Sequence, residues 1–168
     1  MVLTNFLIVI TIIINFIFQG TILPYFEIFR VVPNTALIIV VILALAKGKY
    51  YGGFYGLIIG LIQDIMYSSV IGINAFILFF AGYFIGFVED TFARDNIINP
   101  IIFTAITTIY YNIIYSIFLY FLSRNISFTT AVKSVFSFEV IYNSIVSIGI
   151  YKLFQKIFSQ PTIRFGKR

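Results

Sequence analysis

The sequence predicts an all-α integral membrane protein with six transmembrane helices. Three observations lead there. Hydrophobic residues make up 61% of the chain and charged residues only 10%, against about 25% charged in soluble domains. The mean hydropathy of +1.05 implies more apolar surface than a chain of 168 residues can hide from water. The apolar residues also fall into six runs whose ends, not centres, carry the basic residues. The length suits one domain.

The first run, about Val2 to Phe18, has no basic segment before it and no A-x-A-like cleavage site after it. It is expected to stay as a helix rather than be removed as a signal peptide. Thr4, Thr11 and Asn15 lie near one of its faces and should point into the bundle. Gly20 to Asn34 contains Pro24, Glu27, Arg30 and Pro33 and reads as an exposed connection with a short amphipathic piece. The second run, about Asn34 to Ala46, opens beside Pro33, which a first helical turn accepts because its missing N–H is not needed there. It ends at Lys47-Gly48-Lys49.

The third run, about Tyr50 to Tyr67, carries Gly53, Gly56, Gly60 and Asp64 on one helical face about 80° wide. Such a face lets another helix approach closely and places a carboxylate where lipid is a poor neighbour. The fourth run, about Ile71 to Val88, aligns Ala75, Gly82 and Gly86 within about 40°, a second small-residue face. Gln63 and Asn74 flank the hairpin between these runs, together with Ser68-Ser69 and Gly72. Their amides are expected to satisfy turn backbone and bridge helices.

Glu89, Asp90, Arg94, Asp95 and Asn96 form a hydrophilic loop. The fifth run, about Ile98 to Leu122, holds Thr104, Thr108, Asn112 and Ser116 at four-residue spacing. After a polar connection over 124–134, the sixth, about Val135 to Phe154, holds Glu139, Asn143 and Ser147 at the same spacing. Polar faces of this kind usually hydrogen-bond between helices. One six-helix membrane domain therefore covers residues 1–156, and 157–168 form a basic cytoplasmic tail.

Charge sets the orientation. With both termini inside, the cytoplasmic side holds eight basic residues: Lys47, Lys49, Arg94, Lys152, Lys156, Arg164, Lys167 and Arg168. The outer side holds three, Arg30, Arg124 and Lys133. Basic residues placed at helix ends explain the net charge of +5 as a topology signal, so nucleic acid is excluded as a partner.

The chain has no cysteine, histidine or tryptophan. Thiol chemistry and the commonest metal ligand and general base are absent with them. No metal set, nucleophile–base pair or phosphate loop is visible, so neither catalysis nor a cofactor is expected. Asp64 is expected to take a structural or partner-docking role, about one turn from the outer surface.

The stretch from Pro33-Asn34 through Gly60-Leu61-Ile62-Gln63-Asp64, Ser68-Ser69 and Ile71-Gly72-Ile73-Asn74-Ala75 resembles the rod shape-determining protein MreD family. That family has a proline-led second span, a small-residue third span ending in Gly-Leu-x-x-Asp, a short turn and a Gly-x-x-Ala-like opening of the next span. The match covers roughly residues 33 to 88. Asn34 departs from it, since many relatives have an aspartate after the proline. The resemblance implies a bacterial inner-membrane scaffold of the cell-elongation machinery. Its partners would be the bitopic protein MreC and, indirectly, the actin-like MreB and the wall glycosyltransferase and transpeptidase. It also implies a fold similar to the substrate-binding subunits of energy-coupling-factor vitamin transporters. Membership of such a transporter is the competing function. The first span, VLTNFLIVITIIINFIF, lacks the internal Ala or Gly with which those subunits dock their transport partner.

Overall fold

The computed structural model describes residues 2–88, 96–122 and 138–158. Among them are six α-helices: α1 Val2–Thr21, α2 Thr35–Lys47, α3 Lys49–Tyr67, α4 Ile73–Phe87, α5 Ile98–Phe121 and α6 Phe138–Phe158. Each lies on one of the six apolar runs. The loop residues Glu89, Asp90, Arg94 and Asp95, the connection over 124–134 and the tail over 159–168 lie outside the described residues. Helix α6 continues through Ile157 and Phe158, two residues into the expected tail.

The hub is the shortest helix. Every residue of α2 from Thr35 to Ala44 is buried, and α2 touches all five other helices. A helix that is apolar all round has no face to give to solvent, so its neighbours must enclose it. Asn34 starts it: the side-chain Oδ1 accepts from the Leu37 backbone N–H at 3.1 Å, the usual task of an N-cap asparagine. Pro33 thus sits one residue before the cap rather than in the first turn. Gly48 ends α2 and starts α3; its φ of +84° lies where side chains are strained.

The connection over 20–34 contains a 3₁₀ turn at Leu23–Phe26 and an isolated bridge between Ile28 and Val31. It crosses α6, where the Tyr142 hydroxyl donates to the Phe26 carbonyl at 2.8 Å.

Among the described residues, helices α3 and α4 share the most extensive contact. Gly52 and Gly82 meet backbone to backbone, Gly56 lies on the Leu78 carbonyl, Gly60 on the Ala75 backbone, and Gly86 on Gly48 and Lys49. The working stripe of α3 is therefore 52-56-60. Gly53, expected on that stripe, faces the side chains of Phe79 and Tyr83, where an added Cβ would sit at 3.4 and 3.5 Å. The two small-residue faces are filled by one another. They close a hairpin within the chain and leave no open glycine surface for another polypeptide. Gly56 and Gly60 thus take α4 as the closely approaching helix.

Among the described residues, α5 alone is long and apolar enough by itself to cross a membrane. Phe6–Thr21, Thr35–Lys47 and Ile73–Phe87 are shorter apolar stretches.

Candidate functional site at one end of the bundle

Asp64 sits in the last turn of α3 with 0% of its surface exposed. Its Oδ2 accepts from the backbone N–H groups of Gly72 at 2.9 Å and Ala75 at 3.0 Å. Its Oδ1 accepts from the Asn74 backbone N–H at 3.1 Å and from Asn74 Nδ2 at 2.9 Å. Gly72 is the N-cap residue of α4 and has no side chain to supply the cap. A carboxylate from the preceding helix performs that task and lies in the positive field of the α4 N-terminus. The chain can turn this tightly because Gly72 takes φ +108°, which residues with a side chain rarely adopt.

Asn74 extends the site outward. Its Nδ2 also donates to Ser68 Oγ at 2.7 Å, and its Oδ1 accepts from the Tyr111 hydroxyl on α5. One amide thus ties together the end of α3, the turn, the start of α4 and the middle of α5. Tyr111→Phe should leave Asn74 Oδ1 without its donor and cost about 1–2 kcal/mol. Thermal unfolding of the purified protein in detergent measures this.

A second chain of hydrogen bonds begins at Gln63, next to Asp64. Gln63 Nε2 donates to Asn34 Oδ1 at 3.1 Å. The Asn34 backbone N–H donates to Asn143 Oδ1 on α6 at 2.9 Å, and Asn143 Nδ2 donates to Thr108 Oγ1 on α5 at 3.2 Å. Asn112 Nδ2 on α5 donates to Glu139 Oε2 on α6 at 3.2 Å. Pairing of Thr108 with Asn143 and of Asn112 with Glu139 makes α5 and α6 antiparallel. The starts of α2, α4 and α6 and the end of α3 therefore lie at one end. Lys47, Lys49, Lys152 and Lys156 lie at the other.

Of the residues singled out from sequence, the structure brings Gly60, Gln63, Asp64, Gly72, Asn74 and Ala75 together. Gly53, Gly56, Gly82 and Gly86 follow the hairpin away from this end. Gln63 bridges to α2 rather than to turn backbone. Asn34 as cap and crossroads, Tyr111 and Ser68 were not assigned these parts by sequence reasoning. A Pro-Asn pair ahead of an apolar run is a cap signature that could have identified the first. Nothing in the sequence marks the other two.

Chemically the cluster is a latch: carboxylate, amide and hydroxyl groups satisfy helix ends and one another. Among the described residues no group of three or more Asp, Glu, His or Cys could hold a metal ion. A family model described as rod shape-determining protein MreD matches residues 1–160. No curated protein and no solved structure matches the chain.

Proposed function

The chain belongs to the rod shape-determining protein MreD family, and from that premise we propose that it is a non-enzymatic scaffold of lateral wall synthesis. It acts by binding an MreC-like bitopic protein in the bacterial inner membrane. An actin-like filament and the wall glycosyltransferase and transpeptidase are reached indirectly. The single observation that carries this reading is the family match, which spans nearly the whole chain. A role in determining rod shape comes with the family; the partner and the complex are the proposal.

On this reading the six helices of one domain cross the bilayer, in an arrangement like that of the substrate-binding subunits of energy-coupling-factor transporters. Both termini are cytoplasmic. The separation of four lysines from the Asp64 and Glu139 end supports this orientation, since basic residues collect on the cytoplasmic side. The 13-residue α2 spans only about 20 Å, less than the hydrocarbon core of about 30 Å. Enclosure by its neighbours makes that length acceptable.

The absence of native cysteine gives a labelling background of zero. Ser69→Cys should react with a membrane-impermeant maleimide in intact spheroplasts, and Lys47→Cys only after permeabilisation. The reverse pattern overturns the orientation. Depletion should turn rods into spheres, and an MreC-like protein should co-purify with the tagged chain. Failure to recover that protein from a functional tagged strain sinks the partner assignment.

A further inference from the structure

We propose that the polar seam joining α2 and α3 to α5 and α6 is an internal hydration site. Ordered water donates to Gln63 Oε1 there and bonds to Thr104 Oγ1. Both atoms are buried and have no hydrogen-bonding partner among the described residues.

The orientation of Gln63 is fixed by a chain of constraints. The Leu37 backbone N–H can only donate, so the Asn34 atom it meets at 3.1 Å is the oxygen. That oxygen also faces the Gln63 amide at 3.1 Å, so Gln63 presents its NH2 there. Gln63 Oε1 therefore points away from Asn34 as an acceptor, and no flip of the amide relieves it without losing the bond to Asn34 and setting two oxygens face to face. Gln63 is only 6% exposed.

Thr104 reaches the same conclusion by comparison with its neighbours. Thr107 and Thr108 on the same helix return their hydroxyls to the carbonyls four residues back, at 2.6 and 2.8 Å. Ser144 on α6 does likewise at 2.7 Å. The corresponding carbonyl for Thr104 belongs to Pro100, and the hydroxyl does not bond to it. A fully buried hydroxyl without the bond its neighbours make needs a partner from elsewhere.

The two residues that carry these atoms stand at the ends of one run of hydrogen bonds. It runs from Gln63 through Asn34, Asn143 and Thr108 to the Thr104 carbonyl. Water is the smallest species that both donates and accepts, and buried water characteristically completes such networks. The run itself is made of amides and hydroxyls, and the Glu139 carboxylate reaches it through Asn143 at 3.5 Å, so the test below includes a cation as an outcome.

Thr104→Val gives the test, because its sign separates the cases. Deleting a hydroxyl that holds water should lower the thermal midpoint by about 2–4 °C relative to Thr107→Val. Thr107 offers the control because its hydroxyl is already satisfied by backbone. Thr104→Ser, which keeps the hydroxyl, should recover part of the loss. A Thr104→Val midpoint at or above that of Thr107→Val overturns the proposal. If Thr104→Val does not fold, the native protein decides alone. Nuclear Overhauser transfer from long-lived water to the Gln63 side-chain NH2 supports the site, and its absence overturns it. A midpoint that depends on sodium at constant ionic strength, with no water transfer, also overturns it, by assigning the seam to a cation.

Discussion

Gly82→Leu should force α4 off α3 and destabilise the protein by more than about 3 kcal/mol, beyond the usual range for overpacked cores. The cause is the identity of the atoms in contact. An added Cβ at Gly82 meets the carbonyl of Gly52, and one at Gly52 meets the carbonyl of Gly82. A side-chain neighbour could change rotamer, but backbone held in a helix cannot. The helices must separate along their whole shared face, losing close packing that lipid does not replace.

Gly82→Ala is the sharper form of the experiment. Alanine gains roughly 0.5–1 kcal/mol in helix propensity over glycine, so a destabilised variant reports the steric clash directly. Gly53→Ala is the contrast: its Cβ would lie 3.4 Å from a Phe79 ring atom, a contact the ring can yield. Stability should fall in the order Gly53→Ala, Gly82→Ala, Gly82→Leu, with the first near the native value. Equal midpoints for the two alanine variants would falsify the close approach. Tests of rod shape in cells should follow the same order, because the hairpin is the part of the chain most dependent on this contact.

These glycines also show how far the sequence could be read. Spacing alone placed Gly56, Gly60, Ala75, Gly82 and Gly86 on two matching faces, because helical periodicity is a local property. It chose Gly53 over Gly52 because consecutive glycines lie about 100° apart and only the facing helix decides which one touches. The same limit hides which helix lies at the centre. Helix α2, buried from Thr35 to Ala44, is the hub, yet a helix that is apolar all round carries no period to show which neighbours surround it. Asn34 illustrates the last gap. Its cap is closed three residues on, at Leu37, whereas its bonds to Gln63 and Asn143 join positions 29 and 109 residues away. Local chemistry was legible; the meeting of distant segments was decided by packing.

Asp64→Ala should be the most damaging polar substitution, costing about 3–5 kcal/mol, and Asp64→Asn should fall between it and the native protein. Alanine leaves the N–H groups of Gly72, Asn74 and Ala75 without their acceptor, at a helix start with no cap of its own. Each buried donor left unsatisfied costs about 1–3 kcal/mol, and partial fraying of α4 lets some of them reach other acceptors. Asparagine keeps one oxygen, so two of the four bonds survive. Its NH2 then faces donors that had shared the other carboxylate oxygen, and repulsion replaces attraction there. Glutamate should not rescue: one more methylene moves the carboxylate past a turn already fixed by Gly72. The readouts are the thermal midpoint in detergent and the rate of proteolysis between Ser68 and Gly72, which should rise as the start of α4 loosens. An Asp64→Ala variant with native stability and an intact turn would mean that the carboxylate serves something other than this helix end. The scaffold reading would then lose its structural account of Asp64, and a ligand or partner at that position would take precedence.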